Sequence, residues 1–205
     1  MLVIVITPHG DWRGYEQTTR YTYVIDFSSK TLDQIWQDMD ERTRNSIRKA
    51  EKSSLRIFRT ADVERFYEIN KMTFERQKMK IPYSFEYVQK VYETFKDNIS
   101  IFEATDSGGN THAMNFYIAD NRSVYYLMSG ADPDFRSSSA QNLIHWEAIK
   151  HFYGKVKYYD FEGSMIENVE ANFLKFGGVQ KQYFHIYSKS ILRKVKDIAK
   201  IILRR

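Results

Sequence analysis

Between Ile99 and Met128 the chain carries three strand-like segments with no helical stretch between them, and this constrains the fold more than any other feature. Ile99–Thr105, His112–Ala119 and Ser123–Met128 are rich in β-branched and aromatic residues. The breaks, Asp106-Ser-Gly-Gly-Asn110 and Asp120-Asn-Arg122, have the composition of hairpin turns. Three such strands must form an antiparallel meander. After Gly130-Ala-Asp-Pro133 a long helix is expected from about Ser138 to Tyr153, then a strand at Lys157–Phe161. A strand, a crossover helix and a further strand of one sheet imply a right-handed crossover and a parallel pair.

The flanks extend this pattern. Tyr21–Phe27 reads as a strand, and Thr31 caps a helix carrying Leu32, Ile35, Trp36 and Met39. A helix over about Asp40–Ser53 and a short strand at Leu55–Phe58 follow. Asp62 caps a helix with Val63, Phe66, Tyr67, Ile69, Asn70 and Phe74, and Pro82 and Ser84 open another. A helix around Asn168–Lys175 and a strand at Val179–Tyr187 complete the order. The fold class expected is α/β (α+β): a mixed, mostly antiparallel sheet flanked by helices.

Charge is unevenly placed. The net charge is +5 over 205 residues, yet Glu41–Arg59 holds seven basic and two acidic residues, and Lys189–Arg205 seven basic and one acidic. The remainder is acidic, which disfavours a general nucleic-acid coat. The chain has no cysteine, so disulfides and thiolate metal sites are excluded, and a reducing, cytoplasmic setting is expected. His145 and His151 lack ligand spacing, so no metal site is expected. The apolar Met1–Pro8 run is far shorter than the about 20 residues that span a bilayer. Residues 190–205 read as a basic amphipathic helix that could dock on protein or on anionic headgroups, making the protein membrane-peripheral.

Four segments carry a family resemblance. Arg44-Asn-Ser-Ile-Arg-Lys-Ala-Glu-Lys52, Tyr125-Tyr-Leu-Met-Ser-Gly130 followed by Arg136, Tyr159-Asp-Phe-Glu-Gly163 and Phe176-Gly-Gly178 occur in the order seen in FemAB and BioF2-like acyltransferases of the GNAT superfamily. The stretch resembles the second of the two GNAT-like domains such proteins pair. That resemblance implies residues 1–30 as a linker and first-domain remnant with an entry strand, 31–187 as the acyltransferase domain, and 188–205 as an appended helix. It also implies an N-acyltransferase moving an acyl or aminoacyl group to an amine, in peptidoglycan-peptide or precursor modification. No permanent cofactor is expected; acyl-CoA or aminoacyl-tRNA is the co-substrate, with a muropeptide-like acceptor, tRNA and a missing N-terminal GNAT-like domain as partners. The alternative is a non-catalytic GNAT-like remnant that serves as an interaction module.

Candidate site residues follow from chemistry and resemblance together. Arg44, Arg48 and Lys52, at i, i+4 and i+8, share one helix face suited to phosphate, or simply to water. Arg136, Ser138 and Ser139 form the turn entering the long helix, where N–H groups can cradle a phosphate. Acetyl-CoA-using GNAT enzymes carry Gly where Ser139 stands, and Gln141 occupies their final small-residue position, so close backbone approach to a pyrophosphate is in question. The resemblance places backbone N–H groups of Met128, Ser129 and Gly130 at the oxyanion. Asp160 and Glu162 are expected on one strand face as the base, or as braces of the turn, and Tyr126 beside the acyl cleft. A lysine found three residues before the Phe-Gly turn in tRNA-using relatives is replaced by Phe173, and the nearby Lys175 lies on another side of the helix.

Overall fold

The computed structural model describes residues 3–5, 15–163 and 167–188. One eight-stranded sheet organises them: β1 Val3–Val5, β2 Tyr15–Asp26, β3 Arg56–Thr60, β4 Ile99–Thr105, β5 Thr111–Ala119, β6 Ser123–Ala131, β7 Tyr158–Asp160 and β8 Val179–Ser188. Their spatial order is β1-β8-β2-β7-β6-β5-β4-β3. Helices α1 Leu32–Asp38, α2 Glu41–Lys52, α3 Val63–Arg76, α4 Phe85–Thr94, α5 Ala140–Phe152 and α6 Glu167–Lys175 cover it.

The β4-β5-β6 meander is antiparallel, and β6 pairs in parallel with β7 across the α5 crossover, as the pattern of segments requires. Thr31 forms a full capping box, and Asp40, Asp62 and Ser84 accept first-turn N–H bonds of α2, α3 and α4. Two regions differ from expectation. Within residues 1–30, expected as a linker and first-domain remnant with an entry strand, β2 begins already at Tyr15 and pairs with β8 over Tyr15–Val24. Val3–Val5 forms an edge strand on β8. Both are set by distant pairing that local composition does not encode. The tail helix expected over 190–205 lies outside the described residues.

Strand alternation divides the core in two. On β5, Ala113 and Tyr117 join the layer made by α1, α2, α5 and α6, including Ile35, Ile47, Leu143, Ile149 and Phe173. Met114 and Phe116 point the other way, to Phe66, Ile69 and Val88 of α3 and α4. Gly130 permits α3 to lie directly against β6: a Cβ there would overlap the Ile69–Asn70 backbone.

Candidate functional site

The sheet opens in its middle. β6 and β7 pair only at Ser123–Tyr158, Val124–Tyr159 and Tyr125–Asp160. Beyond Tyr125, β6 runs on to Ala131 while the chain leaving β7 keeps to β2, Phe161 N–H donating to Tyr23 O at 2.9 Å, which leaves a notch between β6 and β7. A bulge marks the opening: Phe116 pairs with Met128 and Tyr117 with Tyr126, so Leu127 is the extra residue and is 42 % exposed.

The backbone groups lining the β6 edge can be assigned by alternation. Asp132 N–H donates to His112 O across the β5 ladder, at 3.1 Å, so the amides of Gly130 and Met128 face β5 as well. Ala131 N–H instead donates to Thr73 Oγ1, at 3.0 Å, and Ser129 O accepts from Asn70 Nδ2. Of the three expected oxyanion residues, Ser129 alone turns its peptide groups to the open side.

Two carboxyl groups lie at the end of β7 and just after it. Asp160 ends β7; Thr22 Oγ1 and Glu162 N–H, the latter at 2.8 Å, both donate to its Oδ1. Glu162 does not continue the strand. Its φ of +62° is left-handed, and the shared-face expectation drawn from strand alternation does not hold. The turn nevertheless returns its backbone to Asp160. Burial raises the Asp160 carboxyl above its ordinary range, against the lowering effect of its two donors. Burial, with the Asp160 charge second, pushes Glu162 up to about 7. Gly163 is needed because a Cβ there would overlap Tyr21 O and crowd Tyr183 Oη.

Aromatic rings pave the layer beneath. Tyr126 meets His145 edge-on at 4.5 Å, and Phe173 stacks on Phe161 at 5.1 Å. Phe173, standing where a lysine was sought, is 7 % exposed and lies 6.3 Å from the Tyr126 ring. Burial pushes the Tyr126 phenol up to about 12, and so it stays protonated at neutral pH. His145 Nδ1 lies 2.8 Å from Tyr159 Oη and 3.3 Å from Tyr117 Oη, and burial lowers the imidazole to about 3. This neutral Tyr-His-Tyr cluster escaped sequence reasoning, which weighed His145 only as a metal ligand. Its signal was a histidine on the inward face of an otherwise apolar helix.

The turn entering α5 keeps its geometry despite losing glycine. Ser139 adopts φ +60°, ψ +22°, the left-handed conformation that glycine favours, and Ser138 Oγ accepts from Ala140 N–H at 3.3 Å. Arg136 is exposed on the short 3-10 segment Pro133–Ser138. The basic helix reaches this turn through a residue that was not singled out: Lys49 Nζ donates to Ser137 O at 3.3 Å. Of the expected phosphate residues on that helix, Arg48 and Lys52 are exposed, with Arg48 over the Trp36 ring at 5.3 Å. Arg44 departs from expectation. Its Nη1 donates to the carbonyls of Trp36, Gln37 (2.8 Å) and Met39, closing the end of α1. Carbonyls at a helix C-terminus carry negative partial charge, and they hold the guanidinium there.

The larger of the described clefts, about 530 Å³, lies elsewhere, between α3 and the β4–β5 turn. Among the described residues no helix is long and apolar enough to cross a membrane.

The fold is shared with known proteins. FemX superposes with a TM-score of 0.72 at 14 % identity, covering 88 % of this chain and 64 % of that one. The C-terminal domain of a lysylphosphatidylglycerol synthetase from Agrobacterium fabrum, described as putative, gives 0.63 at 9 % identity, covering 93 % and 66 %. L-PGS from Bacillus licheniformis gives 0.55 at 13 % identity, covering 94 % and 68 %. These likenesses show the fold, and the chain spans about two thirds of each relative's length. No curated protein sequence matches it. The model of the acetyltransferase (GNAT) domain matches residues 37–168, well over half of the chain. The chain belongs to the family of GNAT acetyltransferase domains.

Proposed function

We propose that this chain is the catalytic domain of an N-acyltransferase whose acyl group lies in the notch between β6 and β7. The observation that carries this reading is the unpaired edge of β6 at Ser129, beside the partly buried Asp160–Glu162 turn that ends β7. Ionised Glu162 takes the proton of an incoming amine, whose nitrogen attacks the acyl carbonyl. Ser129 N–H faces the oxygen that gains charge. Tyr126, protonated, offers a proton to the leaving thiolate or ribose oxygen, and Asp160 fixes the Glu162 turn. Arg136, Ser138 and Ser139, with Arg48, Lys49 and Lys52 of α2, hold the donor's phosphates.

The donor is a phosphate-bearing acyl carrier: a CoA thioester or an aminoacyl-tRNA. A FemX-like fold supports an amine acceptor of the muropeptide-precursor kind, and a first GNAT-like domain as partner in a longer protein. A thermal-shift screen against acetyl-CoA, longer acyl-CoA esters, aminoacyl-tRNA and nucleotide-linked muropeptides tests this. A true ligand at 100 times its Kd stabilises by about 2.7 kcal/mol. Released CoA can be followed with a thiol reagent, since the chain has no cysteine of its own. If no donor shifts the melt, the catalytic reading fails and an interaction module remains. Phe173 in place of the lysine is what favours that second reading.

A further inference from the structure

Where β7 leaves β6, α3 supplies the hydrogen-bond partners that a neighbouring strand would have provided. Asn70, 2 % exposed and set among apolar neighbours on the inner face of α3, donates from Nδ2 to Ser129 O. Its Oδ1 accepts from Tyr83 Oη at 2.8 Å, and Tyr83 stands just before the Ser84 cap of α4. One turn along α3 from Asn70, Thr73 Oγ1 takes Ala131 N–H. This seating depends on Gly130, where any side chain would drive α3 away. Three features thus converge on the Ser129–Ala131 stretch of β6: a buried amide bonded through both its nitrogen and its oxygen, a hydroxyl on the next outward N–H, and a glycine that admits the helix. Side chains buried solely for packing need no such polar match, because an amide left half-satisfied in an apolar layer is costly.

We propose that Asn70, oriented by Tyr83, is a positioning residue that holds the Ser129–Gly130 peptide by its carbonyl and so fixes the backbone of Ser129, whose N–H, on the preceding peptide, faces the notch and the acyl oxygen. This rests on the acyltransfer reading above. β6 beyond the bulge is paired with β5 on one side only, so the restraint on its outward-facing groups has to come from α3. Asn70 supplies that restraint without closing the notch, as a paired strand would. Tyr83 ties it to the segment between α3 and α4, whose Tyr83–Tyr87 rings lie 6.3 Å apart with Tyr87 exposed. An acceptor that presses on this segment would therefore be felt at Ser129.

The test uses the whole chain with acetyl-CoA, a panel of amines, and thiol release as the rate. Asn70→Ala should lower kcat about 30-fold through misplacement of the donor, while KM and the calorimetric Kd for acetyl-CoA stay within about 3-fold. Asn70→Asp, isosteric but presenting an oxygen to Ser129 O, should be worse than Ala. Tyr83→Phe should lose about 5-fold, since it removes the orienting bond alone. Asn98→Ala serves as the control, because Asn98 Nδ2 makes a similar bond to Ala119 O, at 2.9 Å, away from the notch. It should lower the melting temperature without touching kcat. In 15N spectra the amide of Gly130, bonded to the Ser129 carbonyl carbon, should shift in both Asn70 variants. An Asn70→Ala protein that melts earlier yet keeps its kcat, or loses kcat and acetyl-CoA affinity in equal measure, overturns the proposal. Should Asn70→Ala not fold, an unchanged kcat in Tyr83→Phe overturns it too. If the wild type turns over no donor at all, the acyltransfer reading fails, and an unmoved Gly130 amide independently shows that Asn70 does not hold the peptide.

Discussion

At the scale of single residues, Glu162 is the group whose chemistry departs furthest from its sequence context. It sits in a left-handed turn behind β7, short of water and beside Asp160, and these two influences place its carboxyl near pH 7. Glu162→Gln is expected to lower transfer by about 100-fold or more and to abolish the limb of the pH–rate profile near 7, with activity in the wild type rising as the carboxyl ionises. Stability should move the opposite way. A carboxyl raised on folding favours the protonated native state, so its contribution is full below about 4.5 and is lost as pH rises through about 7. For a group only partly withdrawn from water the loss is on the order of 2 kcal/mol. Urea titrations at pH 5 and 8 should therefore differ less for Glu162→Gln than for the wild type; equal differences would mean the carboxyl is not perturbed.

At the scale of elements, the α1–α2 corner shows how a charge pattern can be misread. Arg44, Arg48 and Lys52 share a face by helical spacing, yet Arg44 folds back to the three carbonyls at the end of α1. Asp40 caps α2 at the same corner, and its own N–H donates to Lys175 O at 2.8 Å. Arg44 therefore serves the joint between helices. Arg44→Ala should cost about 1–2 kcal/mol in chemical denaturation, the usual price of a charge-assisted bond, and leave donor affinity unchanged. Lys52→Ala should show the reverse: little change in stability and weaker donor binding, more so at low salt. The α5 turn carries a related lesson. Ser139 adopts the left-handed geometry without being glycine, beside the bond from Ala140 N–H to Ser138 Oγ.

Across the whole molecule, the two core layers meet the notch differently. On the α3 face the polar contacts at β6 are made by Asn70 and Thr73. On the opposite face the floor is aromatic, with Phe173, Phe161, Phe176 and Tyr126 around a neutral His145. Phe173 is part of this floor, so restoring a lysine at that position is not a simple regain of function. Phe173→Lys should destabilise by about 3 kcal/mol or more, as a buried stacked ring is exchanged for an unpaired charge. A variant that instead melts normally and gains aminoacyl-tRNA-dependent transfer would show that the floor tolerates a cation.

Local pattern was sufficient for the order of elements, the meander, the parallel crossover and the capped helices, because periodicity, turn residues and caps act over a few positions. Asp160, Glu162, Ser139 and Ser129 are picked out by the family resemblance of their segments, which local pattern does not supply. Neither supplies their geometry. That Arg44 closes a helix, that Lys49 reaches the donor turn, that Ser129 and not Met128 or Gly130 faces the notch, and that β2 begins at Tyr15 all depend on pairings between residues far apart in the chain. Strand register decides which amide points outward, and burial decides which carboxyl titrates near neutrality. Both are properties of the packed sheet, and neither exists until distant strands and helices have met.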